Sequence, residues 1–235
     1  MESQTMFETS DDDEPVHPSA TVVLVRDAEA GLEALLVQRD RAVSHMGGMW
    51  VFPGGKVEEE DYPADRDEYS AAVNAAIRET REEAGVAVSP EQLVHLAHWT
   101  TPRGARRRFA TWFFLTILEE DQEVCVDGCE IAYHRWVRPE DAIAESADEA
   151  HELRLMPPTY VSLGDIAGCR DCAEAREFIG SREPFYYAPR MVFVTDGVCF
   201  LYAGDAGYAT EDLDAQGPRH RLYMVNDRLT YLRDI

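Results

Sequence analysis

A glycine pair at 54–55 is followed, after 22 intervening residues, by the acidic run 78–86. Glu79, Glu82 and Glu83 stand at positions i, i+3 and i+4, so a helix places their carboxylates on one face. A divalent cation would offset their mutual repulsion, because Mg²⁺ and Mn²⁺ prefer oxygen ligands. The pattern therefore predicts a metal-binding helix, and a solvated acidic face is the alternative that the three glutamates alone leave open.

The same run predicts a helix over 70–84 with a second face made of small apolar side chains. That face can lie close against a sheet and hold the helix backbone still. Gly85 is placed to end the helix in a left-handed cap. The residues that form the apolar face are Ala72, Val73, Ala75, Ala76, Ile77 and Ala84.

The glycine pair and the acidic helix together resemble the Nudix box, Gly-x5-Glu-x7-Arg-Glu-U-x-Glu-Glu-x-Gly-U, where U is aliphatic. Thr80 stands where an aliphatic residue is usual, and the matching positions are Arg78, Glu79, Glu82, Glu83, Gly85 and Val86. The resemblance implies an α/β fold, the Nudix α/β/α sandwich with a mixed sheet. We expect an added C-terminal α+β segment beyond it.

The box is longer than its usual form. Ser70 occupies the position of the first box glutamate, because about nine residues are inserted between Gly55 and Arg78. In the family that glutamate mainly pairs with the arginine, and Glu68 or Asp67 is the expected substitute here. The insert over 56–69 is polar and contains a proline, so we expect an exposed loop.

The resemblance implies Mg²⁺- or Mn²⁺-dependent hydrolysis of a nucleoside diphosphate linked to another group, X, by a diphosphatase. Glu130 precedes Trp136 by six residues, a spacing at which Nudix enzymes often carry an extra metal ligand or base. A surface glutamate is the alternative. The expected metal ligands are Glu79, Glu82, Glu83 and Glu130, and the expected catalytic residues are Glu82, Glu79, Glu130 and Arg78.

Substrate contacts are expected at three places. Arg39 ends a predicted strand, and segments 35–39 and 52–55 also match the start of a Nudix domain. Gly54 and Gly55 allow a tight backbone turn beside the metal. Arg107 and Arg108 lead into an apolar strand and can clamp a diphosphate. A solvated loop is an equally weighted alternative for these two arginines.

A further resemblance limits the choice of the group X. Segments 107–109, 157–159 and 204–205, together with Tyr208, resemble Nudix proteins akin to the peroxisomal coenzyme A diphosphatase. Coenzyme A or acyl-coenzyme A is therefore the leading candidate. ADP-ribose, NADH or a dinucleoside polyphosphate are the alternatives. A non-hydrolytic nucleotide-sensing module is the alternative of another class, because the standard box glutamate is missing.

The composition of the chain argues against several other classes of protein. A net charge of -23 argues against a general nucleic-acid binder. No apolar stretch approaches a membrane span and no signal peptide is visible, so we expect a cytoplasmic protein whose partner is a small nucleoside diphosphate derivative, with a homodimer left open. Five cysteines predict reduced thiols. A zinc site is the minor alternative, formed by Cys125, Cys129, Cys169 and Cys172.

The expected organisation has three segments: a disordered acidic tail over 1–18, a Nudix hydrolase domain over 19–148 and a C-terminal extension over 149–235 that packs on the core. Two hairpins are predicted in the extension, at turns 196–197 and 226–227.

Overall fold

A computed structural model of the chain describes residues 14–42, 46–118, 122–126, 128, 130–148 and 153–234. The chain forms two compact units that interleave along the sequence. Unit 1 comprises Met1–His17, Trp99–Ala110 and Tyr186–Ile235, and unit 2 comprises Pro18–His98 and Thr111–Phe185. Residues 1–13 of the predicted tail lie outside the described residues, and the first strand begins at Val16.

The architecture is α/β, with a mixed sheet and helices, as predicted. The helices are α1 (Glu68–Ala84), α2 (Pro139–Ala147), α3 (Pro157–Ile166) and α4 (Cys172–Gly180), with short 3-10 helices at Glu59–Asp61 and Pro90–Gln92. The strands are β1 (Val16–Ala28), β2 (Gly31–Arg39), β3 (Trp50–Val51), β4 (Gly54–Lys56), β5 (Val94–Thr100), β6 (Arg108–Ile117), β7 (Ile131–Val137), β8 (Phe185–Tyr187), β9 (Arg190–Val194), β10 (Gly197–Leu201), β11 (His220–Val225) and β12 (Arg228–Arg233).

The larger sheet has the strand order β3-β2-β1-β6-β5-β8, with β4 paired to β1 and β7 paired to β2. In the β1–β4 pair, Gly54 lies opposite Thr21 and Gly55 lies opposite Ala20. In the β2–β7 pair, Arg39 lies opposite Ile131, beside a register shift. These pairings carry the glycine turn, Arg39 and the residue before β7 into the same part of the molecule.

The core of unit 2 lies between α1 and the sheet. Alternating apolar residues of β1 and β2 pack against the small residues of the helix, as the sequence predicts. Thr80 is fully buried, and its hydroxyl donates to the Ala76 carbonyl at 2.7 Å. This bond explains how a polar side chain is accommodated where an aliphatic is usual. The packed residues include Ala20, Val22, Leu24, Leu35, Val37, Ala72, Ala75, Ala76, Ala84 and Phe114.

Both ends of α1 are set by local chemistry. The Asp67 carboxylate accepts from the Ser70 amide at 2.8 Å, so the helix begins at Glu68, two residues before the predicted start. Gly85 ends the helix with a φ of 70°, which confirms the predicted left-handed cap. The length of the helix is thus set by its own end residues.

Unit 1 contains a four-stranded antiparallel sheet with the order β12-β11-β10-β9. Its two hairpins turn where the sequence predicts. Asp196, Asn226 and Asp227 have φ values of 59°, 50° and 61°, as tight hairpin turns require.

Candidate active site

The Arg78 guanidinium connects α1 to the segment that precedes it. Nε and Nη2 donate to the Asp61 carboxylate at 3.2 and 2.9 Å, and Nη2 also donates to the Lys56 carbonyl at 2.9 Å. Nη1 donates to Glu79 at 2.8 Å and to Glu82 at 3.1 Å. The hydrogen bond to Asp61 raises the pKa of Arg78 further above its usual value. Arg78 is therefore a fixed, permanently charged support for both glutamates.

Asp61 takes the part that we predicted for Glu68 or Asp67, so that expectation was wrong. Its side chain is only 5% exposed, and it also accepts from the Glu58 amide at 2.8 Å. Asp67 instead caps α1. The insert is likewise not simply an exposed loop, because it folds back through a 3-10 helix that delivers this carboxylate. Glu58 and Asp61 form a capping box, and its spacing in the sequence indicates a turn at this point but not the contact with Arg78.

Glu79 lies against the glycine turn. A Cβ added to Gly55 would stand 2.1 Å from the Glu79 Oε1 atom, so no other residue fits at position 55 without displacing the carboxylate. Burial raises the pKa of Glu79, and the hydrogen bond from Arg78 opposes that shift. The close approach shows why the turn needs glycine here.

Glu83 is buried at the same turn. Its Oε2 atom accepts from the Gly54 amide at 2.8 Å, and its Oε1 atom lies 3.9 Å from Nη1 of Arg39. Burial raises the pKa of Glu83 to about 7, while the Gly54 amide and Arg39 lower it and Glu79 and Glu130 raise it. A Cβ at Gly54 would lie 2.4 Å from a carbonyl oxygen of β1, so this position also requires glycine.

Glu130 is linked to Glu83 by Arg39, which lies near both carboxylates. Its carboxylate is 64% exposed and lies 3.4 Å from Nη2 of Arg39. Its charge contributes to the raised pKa of both Glu79 and Glu83. The structure thus brings eight of the ten predicted site residues into one region of unit 2: Arg39, Gly54, Gly55, Arg78, Glu79, Glu82, Glu83 and Glu130.

The other two predicted site residues, Arg107 and Arg108, belong to unit 1. Arg107 is exposed, and Arg108 begins β6 with its Nε atom 3.5 Å from the Thr101 carbonyl. Their role in substrate binding stays a prediction. The zinc alternative includes Cys129, which lies outside the described residues. Within the described ranges, no helix is long and apolar enough to cross a membrane.

The donor set fits a hard divalent cation. All four predicted ligands are carboxylates, and burial, with a smaller contribution from neighbouring negative charge, raises the pKa of the half-buried Glu79 and the buried Glu83. Among the residues that the structure describes, no three donors converge into a metal cluster. Glu79 and Glu82 both accept hydrogen bonds from Arg78 instead. Glu82 and Glu130 are 59% and 64% exposed, so these two side chains have room to rotate toward a cation.

Comparison with known proteins identifies the class. The sequence model of the NUDIX domain matches residues 15–157, so the chain belongs to the Nudix family. The predicted family is confirmed, and with it the prediction of an enzyme of the kind that acts on phosphoric anhydrides.

Two sequence relatives and one crystal structure show how similar this chain is to known Nudix proteins. Human acyl-coenzyme A diphosphatase NUDT19 is 31% identical over 121 residues, which cover 49% of this chain and 32% of that protein, so the match spans about a third of its length. A Mycobacterium tuberculosis protein with the provisional name 8-oxo-dGTP diphosphatase 3 is 32% identical over 193 residues, 78% of this chain and 76% of that one. The crystal structure of a NUDIX hydrolase from Alicyclobacillus acidocaldarius has a TM-score of 0.62 at 22% identity, covers 73% of this chain and 98% of its own, and shows the shared fold.

Proposed function

We propose that this chain hydrolyses a nucleoside diphosphate linked to a group X, releasing a nucleoside monophosphate and phosphorylated X. The observation that carries the proposal is the cluster of carboxylates at the glycine turn, where Glu83 accepts from the Gly54 amide and Glu79 lies against Gly55. A binding module needs no such concentration of carboxylates. A hydrolase that uses a divalent cation does.

The cation would be Mg²⁺ or Mn²⁺, held by Glu79, Glu82, Glu83 and Glu130. When bound, it supplies charge neutralisation for the diphosphate oxygens and a lowered pKa for a coordinated water. Arg78, anchored on Asp61, orients Glu79 and Glu82. Glu130 is the most exposed of the four carboxylates, so it is our candidate for the group that accepts a proton from the attacking water.

Coenzyme A or acyl-coenzyme A is the leading candidate for the substrate, supported by the similarity to NUDT19. ADP-ribose, NADH and dinucleoside polyphosphates remain alternatives for X. An oxidised nucleoside triphosphate is a further candidate, because the Mycobacterium tuberculosis relative matches over a larger share of both chains.

A hydrolysis screen tests the proposal. It would present coenzyme A, acyl-coenzyme A, ADP-ribose, NADH, diadenosine polyphosphates and 8-oxo-dGTP with Mg²⁺ or with Mn²⁺. We expect cation-dependent cleavage of one class, lost by about 100-fold or more in Glu82→Gln, because metal-ion catalysis contributes several kcal/mol to transition-state stabilisation. Glu174 of α4, which pairs with the exposed Arg170, offers a matched control, and Glu174→Gln should behave like the parent.

The screen can also fail in an informative way. Nucleotide binding without cleavage of any compound would favour the sensing module over the hydrolase. Unchanged activity in a folded Glu82→Gln protein would refute the assigned site.

A further inference from the structure

One face of α1 carries a groove of about 530 Å³ that has no role in the reaction proposed above. Five residues line it at spacings of i, i+3, i+4, i+7 and i+8, which places them along one helical face: Asn74, Ile77, Arg78, Arg81 and Glu82. The groove begins at Glu82, a predicted metal ligand. It extends about 12 Å to Asn74, since a helix rises about 1.5 Å per residue.

Arg81 gives this groove its charge. The side chain is exposed, and within the described part of unit 2 no hydrogen bond, ion pair or ring contact involves its guanidinium. Arg78, the other cation of the groove, is already bonded to three carboxylates. The chain carries 45 acidic residues against 22 basic ones, so a guanidinium left without a carboxylate beside the reactive site is conspicuous.

The remaining lining residues offer a surface for the body of a ligand. Ile77 is half-buried and packs against the core, which makes it an apolar floor. The Asn74 amide nitrogen donates to the Asp61 carbonyl at 2.8 Å, so its side chain is held in place and its oxygen remains as an acceptor. The groove therefore presents a cation next to the reactive site, then an apolar patch, then a hydrogen-bond acceptor.

We propose that this groove binds the part of the substrate beyond the diphosphate, and that Arg81 selects substrates carrying an additional phosphate monoester there. This inference rests on the proposed hydrolase function, because Glu82 belongs to both the groove and the metal site. A guanidinium suits the role, since its planar set of donors matches two phosphate oxygens at once.

A binding measurement tests Arg81 without depending on turnover. Isothermal titration calorimetry would compare AMP with adenosine 3′,5′-bisphosphate, which differ by one phosphate monoester and contain no anhydride bond to cleave. We expect the parent to bind the bisphosphate at least fivefold more tightly, and Arg81→Gln to reduce that ratio to near one. Arg81→Lys should retain part of it. The control Arg170→Gln, at an exposed arginine just before α4, should keep the parent ratio.

Turnover gives the second readout. NADPH and NADH differ by one phosphate monoester, and we expect Arg81→Gln to raise KM about tenfold for the phosphorylated member alone, with kcat unchanged. Failure of the parent to hydrolyse any anhydride would refute the hydrolase function, and the calorimetric ratio would still decide the role of Arg81. An equal ratio in the parent and in Arg81→Gln would overturn the assignment. So would a variant that loses only thermal stability, because Arg81 would then serve the helix C-terminus instead.

Discussion

Replacing Asp61 with asparagine removes the carboxylate that anchors Arg78 while leaving a side chain of the same shape. The bond pair to Arg78 is lost in part, because an amide offers one acceptor oxygen where the carboxylate offers two. Breaking a buried ion pair costs about 3–5 kcal/mol. Since Arg78 is 19% exposed and keeps its bonds to Glu79 and Glu82, we expect a smaller loss, about 2 kcal/mol in the free energy of unfolding.

The loss of activity in Asp61→Asn should be larger than the loss of stability alone would cause. Without Asp61, Arg78 can turn toward the exposed Glu82 and no longer fixes Glu79. We therefore expect kcat/KM to fall about 10–100-fold, as for other residues that support a metal ligand. Hydrolysis kinetics and urea unfolding on the same preparations would measure both effects. Asp65→Asn, an exposed carboxylate of the same insert, is the matched control.

Parent-like activity and stability in Asp61→Asn would refute this reasoning. An equal loss of activity in Asp67→Asn would restore the expectation drawn from the sequence, in which a residue at the start of α1 supports Arg78.

Three further predictions follow from the same geometry. Gly55→Ala should lower the hydrolase activity about 100-fold, because the new Cβ would stand 2.1 Å from the Glu79 carboxylate. Steady-state kinetics measures this loss, and full activity in the variant would contradict the prediction. Without a cation, the free energy of unfolding should fall by up to about 3 kcal/mol as the pH rises from 4.5 to 7. The reason is that the pKa of Glu83 is about 7 in the folded protein and 4.5 in the unfolded chain, so the folded state holds a proton that the unfolded state releases. Urea unfolding at several pH values measures this slope, and Glu83→Gln should lack it. In unit 1, Asp205→Asn should lower the free energy of unfolding by about 3 kcal/mol, because it leaves Arg221, 1% exposed, without its carboxylate; an unchanged denaturation midpoint would contradict this.

The helix and its C-terminal cap could be predicted because their causes are local. The spacing of the glutamates, the small residues of the apolar face and Gly85 all lie within a few turns of one another. The hairpin turns at 196–197 and 226–227 followed from local turn chemistry in the same way. The position of Glu130 beside Arg39 depends on the pairing of β2 with β7, and a recognised family pattern, not local chemistry, pointed to it.

The anchor of Arg78 could not be predicted from local rules. Asp61 and Arg78 are 17 residues apart, and their contact depends on the path of an insert that the family pattern lacks. The 3-10 helix that delivers Asp61 is too short to leave a periodic signal. The burial of Glu83 against the Gly54 amide is equally a tertiary effect, since both groups look ordinary in the sequence.

We propose above that the carboxylates at the glycine turn hold a divalent cation. The most direct test is a Mn²⁺ titration followed by electron paramagnetic resonance of the free ion, with the parent, Glu83→Gln and the surface control Glu174→Gln. We predict saturable binding in the parent and the control, and binding weakened at least tenfold in Glu83→Gln. Equal Mn²⁺ affinity in all three proteins would contradict a cation site at the glycine turn, because the cation would then lie elsewhere.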